Sequence, residues 1–186
     1  MKIIDNYLEQ ITTVSDEAKI EKRVNVACGL IMKKGEQGEI LLLLIQRAAD
    51  DHWPLHFEAP RGKCDNGPNE KVIACLKREV KEETGLDIKP IRFIDKFSYI
   101  ADQGKRESTQ YNFLCTMSRP NQEIKLSKEH DDYKWVSSIG EVELMVQPEL
   151  KKSIVKVFNP DEKIVDYPET ELSDEKIKEI LDPNDG

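Results

Sequence analysis

The chain has 186 residues, of which 38% are hydrophobic and 34% charged, and its net charge is −8. This length favours one domain with short appendages, and the acidic balance argues against a non-specific nucleic-acid binder, which needs a basic surface. Small anionic substrates stay open, because a local basic cluster or a bound metal reverses the field in a cleft. The four widely spaced cysteines predict reduced thiols, and no apolar run has the length of a membrane span. We therefore expect a soluble, cytoplasmic protein without a membrane partner.

The first part of the chain predicts an appendage, a hairpin and a loop. Residues 1–22 are amphipathic and charged, which favours an N-terminal helical appendage, and the globular domain is predicted over residues 23–158. Val24–Met32 and Glu39–Arg47 are apolar runs around a polar turn that contains glycine, the pattern of a β-hairpin. The second run contains four consecutive leucines and has no polar face, so we expect it to be buried on both sides. Residues 48–69 are rich in Gly and Pro and predict a long irregular loop.

A helix is predicted after this loop. Its apolar face recurs at helical spacing, at Ile73, Leu76 and Val80. Asn69 is the expected N-cap, and Gly85 is placed to end the helix in the left-handed conformation that glycine tolerates.

The remaining elements are strands, a helix and a tail. Three further strands are predicted, at Ile91–Ile100, Thr109–Ser118 and Tyr133–Val136. The region from about 139 to 158 is expected to be helical with a kink at Pro148, and residues 159–186 to form an acidic tail with a short helix. This order of elements predicts an α/β (α+β) architecture, with a mixed sheet sandwiched between helices.

Three carboxylates on the first predicted helix carry the strongest functional signal. Glu79, Glu82 and Glu83 lie three and four residues apart, so a helix places them on one face, where like charges repel. A hard divalent cation such as Mg²⁺ removes this penalty, because it prefers oxygen ligands and commonly takes a few carboxylates plus substrate phosphates. The alternative is a solvated acidic helix face, and the spacing alone leaves both open.

The surrounding residues resemble the Nudix box, the pattern G-x5-E-x7-R-E-U-x-E-E-x-G-U in which U is aliphatic. From Glu70 to Leu86 the sequence matches every specified position. The front of the box departs, since seven residues rather than five separate Gly62 from Glu70, an insertion that we place near Asn66–Pro68. Loop length costs little entropy, so the insertion need not disturb the helix. The resemblance implies a Nudix fold with a loop–helix–loop catalytic motif, in which Glu70 and Arg78 have structural roles.

Segments outside the box resemble one branch of that family, the asymmetrical bis(5′-nucleosyl)-tetraphosphatases. The matching segments fall within residues 25–145 and are Ala27–Ile31, His52-Trp53 with Pro60–Gly62, Phe97–Tyr99 with Lys105-Arg106 and Tyr111, and Glu123–His130 with Tyr133–Trp135. Between Trp53 and Pro60 the chain has six residues where this branch usually has two.

This resemblance implies a role for individual residues. Metal binding, to Mg²⁺ or alternatively Mn²⁺, is implied for Glu79, Glu82, Glu83 and Glu129, of which Glu129 instead could activate water. Contacts with the polyphosphate are implied for His52, Arg61, Lys105 and Arg106. Tyr99 and Tyr133 are expected to sandwich a purine, because an aromatic face stacks on a base. The structural alternatives are an exposed loop carboxylate for Glu129 and ordinary strand packing for the tyrosines.

Together these residues predict a Mg²⁺-dependent pyrophosphohydrolase that cleaves dinucleoside polyphosphates asymmetrically, releasing ATP and AMP from diadenosine tetraphosphate. One alternative is a Nudix hydrolase of another nucleoside diphosphate derivative, such as 5′-triphosphate RNA or a nucleotide sugar. An alternative of another class is a catalytically silent nucleotide-binding module, which predicts loss of box carboxylates that this chain retains. The expected partner is a small nucleotide and not a nucleic acid, and the oligomeric state stays open.

Overall fold

Seven strands and three helices make up the part of the chain that the computed structural model describes, namely residues 20–51, 53–67, 70–142, 147–158 and 172–181. The strands are β1 (Lys22–Lys34), β2 (Ile40–Arg47), β3 (Phe57–Glu58), β4 (Arg61–Lys63), β5 (Ile88–Ala101), β6 (Arg106–Met117) and β7 (His130–Val136). The helices are α1 (Val72–Thr84), α2 (Pro148–Phe158) and α3 (Asp174–Leu181), and a 3-10 turn spans Ile139–Glu141.

All seven strands belong to one mixed sheet. Its order is β3-β2-β1-β6-β5, with β4 paired to β1 and β7 paired to β2. Only β1 and β6 run parallel, and the other strand pairs are antiparallel. The predicted hairpin is present, since Met32–Lys34 of β1 pair with Ile40–Leu42 of β2. The earlier half of β1 pairs instead with β4, so β1 holds the strand that leads into the box.

The sheet is buried on both faces, and the alternation of side chains along its strands decides which residues face which helix. Toward α1 the core contains Ala27, Ile31, Leu43, Ile45, Leu76 and Val80. Toward α2 it contains Leu30, Leu42, Leu44, Leu150 and Ile154. Fully burying one such aliphatic side chain stabilises the fold by about 1.5–3 kcal/mol. The predicted sandwich of a mixed sheet between helices is therefore confirmed, as is the burial of β2 on both sides.

Helix α1 ends as the sequence predicts but begins differently. Gly85 terminates it with φ 73°, and its N–H donates to the carbonyl oxygen of Lys81. The N-cap is Lys71, which makes no side-chain capping bond, so the prediction of Asn69 at this position is wrong. Asn69 itself lies outside the described residues. A Cβ at Gly29 would stand 3.0 Å from Cγ2 of Val80, so glycine at this position lets α1 pack closely on β1.

Two further predictions need correction. The helical region expected over 139–158 is a 3-10 turn followed by α2, with residues 143–146 outside the described part. Pro148 starts α2 instead of kinking a longer helix, because a proline at the first helical position removes an N–H that has no helical partner. The stretch 48–69 is not wholly irregular, since it contributes β3 and β4 to the sheet.

The terminal segments are described only in part. Residues 1–19 of the predicted appendage lie outside the described part, and Lys22 already belongs to β1. The short helix expected in the tail is present as α3, and Leu172 before it donates its N–H to the carbonyl oxygen of Pro90 at 2.9 Å. The domain bounds and the cytoplasmic location stay predictions. The four cysteines are free, as expected, and no described helix is long and apolar enough to cross a membrane.

A polar cluster joins α2 to the sheet and predicts how stability depends on pH. Asp95 on β5 accepts hydrogen bonds from Lys156, Asn112 and Ser153 at 2.5, 2.8 and 2.8 Å. Burial alone raises the pKa of Asp95, but these three bonds outweigh it and hold the pKa below the ordinary 3.8. A carboxylate with a lowered pKa stabilises the fold above its ordinary pKa, and this contribution is lost as the pH falls through the folded-state value.

We expect Asp95→Asn to lower the free energy of unfolding by about 1–3 kcal/mol near neutral pH, because it removes charge-assisted hydrogen bonds. The difference between wild type and variant should shrink as the pH is lowered from about 6 to about 3. Urea unfolding at several pH values measures it, with Asp50→Asn, at an exposed site, as the control. A difference that stays constant over this range contradicts the assignment.

Candidate active site

An ion pair between Arg78 and Glu70 fastens the loop before α1 to the helix. Nε and Nη2 of Arg78 donate to the two carboxylate oxygens of Glu70 at 2.7 and 2.9 Å, and Nη2 also donates to the carbonyl oxygen of Lys63 at 3.0 Å. The N–H of Asn66 donates to the same carboxylate at 2.9 Å. The hydrogen bonds from Arg78 are the main reason that the pKa of Glu70 is lowered. The contacts give both residues the structural role that the resemblance implies.

Gly62 provides the space for the first carboxylate of the box. A Cβ at this position would lie 1.9 Å from the carboxyl carbon of Glu79, a distance that no real Cβ contact shows. The side chain of Glu79 is 15% exposed and accepts a hydrogen bond from Nη1 of Arg78 at 2.7 Å. Burial raises the pKa of Glu79, although Arg78 acts in the opposite direction. Glycine at 62 is therefore what allows this carboxylate to lie against the backbone of β4.

The other two box carboxylates differ in exposure. Glu83 accepts a hydrogen bond from the backbone N–H of Arg61 at 2.9 Å. Burial, followed by the nearby charge of Glu58, raises its pKa well above the ordinary value. Glu82 is 59% exposed and lies 3.2 Å from Nη1 of Arg78. Two of the three predicted carboxylates thus face β4 and the third faces solvent.

The chemistry of these carboxylates fits a hard divalent cation. Among the described residues no group of three or more His, Cys, Asp or Glu side chains is arranged as a finished metal centre. Instead Arg78 lies between Glu79 and Glu82, and Glu83 is held by a backbone N–H. The raised pKa values of Glu79 and Glu83 mean that the surrounding protein does not fully compensate their negative charge. Oxygen ligands with uncompensated charge are what Mg²⁺ prefers.

Glu58 is a site residue that the sequence analysis missed. Its side chain is 2% exposed and lies 2.6 Å from Nη1 of Arg47, 3.1 Å from Nε of Arg61 and 3.3 Å from Nε2 of His130. Burial opposes its ionisation, but His130 and the two arginines bring its pKa to about 2. The one sequence feature that could have indicated Glu58 is its position between the apolar residues Phe57 and Ala59. That feature was not informative in a stretch predicted to be a loop.

Arg61 joins the box to the predicted substrate residues on β5 and β6. Its Nη1 lies 3.3 Å from the hydroxyl of Tyr99 and 3.5 Å from Oε1 of Gln110. Arg106 contacts Asp102 and Ser108 at 2.6 and 2.5 Å, and Tyr99 is close enough to contribute to its raised pKa after the larger effect of Asp102. The structure therefore brings Arg61, Tyr99 and Arg106 together. Lys105 is exposed and is 3.9 Å from Glu21, so its contacts are elsewhere.

The remaining predicted residues lie near the start of β7. Glu129 is exposed, and together with Ala48, Asp50, Asp51 and Lys128 it lines a surface depression of about 500 Å³. Tyr133 is 41% exposed and pairs with Ile45 of β2.

The two predicted base-stacking tyrosines belong to different strands, β5 and β7, which lie toward opposite edges of the sheet. Among the described rings Tyr99 contacts Phe97, at 6.1 Å between centroids, and not Tyr133, so the sandwich stays a prediction. His52 lies outside the described residues.

Comparison with known proteins identifies the family. The NUDIX domain matches residues 21–157. This chain belongs to the Nudix family. It is therefore a Nudix hydrolase, and members of this family generally use divalent metal ions and act on small nucleotide substrates.

Among its relatives is the asymmetrical bis(5′-nucleosyl)-tetraphosphatase of Mus musculus, 31% identical over 138 residues, which are 69% of this chain and 89% of the mouse protein. The nucleoside triphosphatase NudI of Escherichia coli is 28% identical over 120 residues, 60% of this chain and 79% of that protein. The solved structure of a C. elegans Ap4A hydrolase binary complex has a TM-score of 0.57 at 25% identity, covering 72% of this chain and 93% of that one.

We expect Gly62→Ala to abolish most of the hydrolase activity while leaving the fold intact. The three atoms nearest to the added methyl group all belong to the end of the flexible Glu79 side chain, so the carboxylate must move away from β4. A misplacement of about 1 Å in a catalytic group can lower turnover roughly 100-fold, whereas Gly→Ala at an ordinary φ changes stability by about 1 kcal/mol or less.

Steady-state kinetics and thermal unfolding of the purified variant measure the two effects separately. Gly140→Ala is the matched control, because its Cβ would meet only Oγ of Ser138 at an ordinary 3.7 Å. Normal turnover of Gly62→Ala contradicts the proposed placement of Glu79.

Proposed function

We propose that this Nudix hydrolase cleaves dinucleoside polyphosphates asymmetrically, producing ATP and AMP from diadenosine tetraphosphate, with Mg²⁺ as the metal and Mn²⁺ as a substitute. The observation that carries the proposal is the position of Arg61. Its backbone N–H binds a box carboxylate, Glu83, while its guanidinium lies beside Tyr99. A phosphate chain at the box and a base near Tyr99 are thus both within reach of one residue.

The proposed metal ligands are Glu79, Glu82, Glu83 and Glu129. A bound divalent cation neutralises phosphate oxygens and supplies an activated water for hydrolysis of a phosphoanhydride. The helix gives this site a rigid base, because α1 packs on β1 and Arg78 ties it to the preceding loop. Rigid elements hold catalytic groups in place more accurately than loops do.

The proposed phosphate contacts are the cations near the box. The guanidinium groups of Arg61 and Arg106 both lie near Tyr99 and offer charge-assisted hydrogen bonds to phosphate oxygens. Lys105, one residue before Arg106, is exposed and adds positive charge to the turn after β5. His52 is proposed for the same role on the strength of the sequence resemblance alone. Tyr99 and Tyr133 are proposed to stack on the bases.

The names of the relatives support this substrate class and also define its competitor. The mouse relative is named for tetraphosphates and spans 69% of the chain. The Escherichia coli relative is named as a nucleoside triphosphatase and spans 60%. A triphosphate shares the phosphate chain and one base with a dinucleoside tetraphosphate, so only a second base distinguishes the two substrates at the site.

Product analysis tests the substrate class directly. Diadenosine tetraphosphate, ATP, ADP-ribose and 5′-triphosphate RNA are supplied at equal concentration with Mg²⁺, and the products are separated by chromatography. We expect ATP and AMP from the first substrate and slower turnover of the others, because only the dinucleotide fills both base positions. Faster turnover of ATP would favour a nucleoside triphosphatase, and two molecules of ADP from the dinucleotide would exclude asymmetric cleavage.

We expect Glu83→Gln to remove Mg²⁺-dependent turnover without unfolding the protein. The amide oxygen of glutamine can still accept the N–H of Arg61, so the local hydrogen bond survives, but the charge that attracts the cation is gone. Mg²⁺ should raise the melting temperature of the wild type, since a ligand that binds the native state stabilises it, and should leave that of the variant unchanged.

Calorimetry or a dye-based melting assay, with and without Mg²⁺, measures the shift in melting temperature without any substrate. Glu123→Gln, an exposed carboxylate that pairs with Lys125 at 3.4 Å, is the control and should behave as the wild type. An equal Mg²⁺-induced shift in Glu83→Gln and wild type contradicts the ligand assignment.

A further inference from the structure

Glu58 connects the two parts of the candidate active site. On one side it binds the guanidinium of Arg61, whose backbone holds Glu83. On the other side it binds the ring of His130, the residue directly after Glu129. A carboxylate that is 2% exposed and contacts two arginines and a histidine is fixed on all sides, so it ties the box to the start of β7.

The turn that carries Glu129 is held together by His130 and Ser127. Nδ1 of the ring lies 3.2 Å from Oγ of Ser127, and the N–H of His130 donates to the carbonyl oxygen of Ser127 at 3.1 Å. The N–H of Glu129 lies 3.3 Å from the same hydroxyl, and its carbonyl oxygen accepts the N–H of Ala48 at 2.9 Å. The position of Glu129 therefore depends on its backbone, and that backbone depends on the orientation of the His130 ring.

The three partners of Glu58 all have further contacts, and those of His130 are with Ser127 at Nδ1 and through the pairing of its strand with Arg47. Arg47 also binds Asp51 at 2.5 Å, and Arg61 is held by its strand pairing with Cys28 and by Tyr99. Among the described residues, Nε2 of His130 has one hydrogen-bond partner, the carboxylate of Glu58. We therefore expect loss of the carboxylate to disturb the turn that carries Glu129 more than the box.

We propose that Glu58 is a positioning residue, which fixes Glu129 relative to the box carboxylates by anchoring the ring of His130. The inference rests on the proposed function in one respect, the participation of Glu129 in hydrolysis. Glu58 itself touches no substrate in this mechanism. Its two carboxylate oxygens serve Arg47 and His130 on one side and Arg61 on the other, and a glutamine cannot reproduce this because its amide nitrogen would face donors on one of the two sides.

A double-mutant cycle separates positioning from general stability. We expect Glu58→Gln to lower kcat about 10- to 100-fold, the range found for residues that orient the ligands of a metal site. In an Glu129→Gln background the same change should lower kcat less than about threefold, because the residue that Glu58 positions no longer contributes. An equal factor in both backgrounds overturns the proposal.

Hydrogen exchange gives a second readout that needs no substrate. The amides of Ala48 and His130, whose acceptors are the carbonyl oxygens of Glu129 and Ser127, should exchange faster in Glu58→Gln. The amide of Arg61, bonded to Glu83, should change less. Unchanged protection of Ala48 and His130 overturns the proposal.

Ile154→Ala is the stability control, because it creates a cavity on the α2 face of the sheet, away from the box. We expect this variant to have a lower melting temperature but an unchanged kcat at temperatures below its unfolding transition. A loss of kcat as large as that of Glu58→Gln would overturn the positioning role. If diadenosine tetraphosphate is not cleaved by the wild type, the proposed function fails by itself. The exchange measurement then still decides whether Glu58 anchors the turn, and the cycle is run with the nucleotide that the substrate panel identifies.

Discussion

Carboxylate charge held against the protein backbone is the constraint on which this site depends. Glu79 packs directly over Gly62, and Glu83 accepts a hydrogen bond from the N–H of Arg61. Strand β4 therefore positions both carboxylates. This arrangement requires β4 to pair with β1 and α1 to pack on the face of the sheet that these strands form. The fold therefore forces negative charge together, and the rest of the site is the means by which that charge is balanced.

The carboxylates divide into two classes by how they are balanced. Glu70 and Glu58 have lowered pKa values, because arginines, and for Glu58 also a histidine, compensate them within the protein. Glu79 and Glu83 have raised pKa values, because the effect of burial is larger than the opposing effect of their hydrogen-bond partners. The first class fixes the loop and the strands in place, and the second keeps negative charge that the protein does not balance and that an external cation could balance. The structural glutamates and the proposed metal ligands thus differ in how their charge is compensated and not in residue type.

The sequence was sufficient for the architecture and for the carboxylates of α1, because periodicity and fixed spacing report on single elements. The five longer strands, the end of α1 at Gly85 and the short tail helix follow from such local patterns, whereas β3 and β4 do not. Local patterns could not predict Glu58, since its partners come from β2, β4 and β7, which meet only in the folded chain. Pro148 misled the helix assignment because a proline fits both a kink and a first turn.

The parallel pairing of β1 with β6 determines how late in synthesis the sheet can be completed. Paired residues on these strands, such as Lys22 and Arg106, are 84 positions apart in the chain. At a synthesis rate of about 5–20 residues per second, β1 is made roughly 4 to 17 s before its parallel neighbour. The hairpin and the loop–helix–loop are synthesised during that interval, before the strand that completes the sheet beneath them. Pairing across so long a separation closes a large loop, so this step is expected to limit the rate at which an active molecule appears.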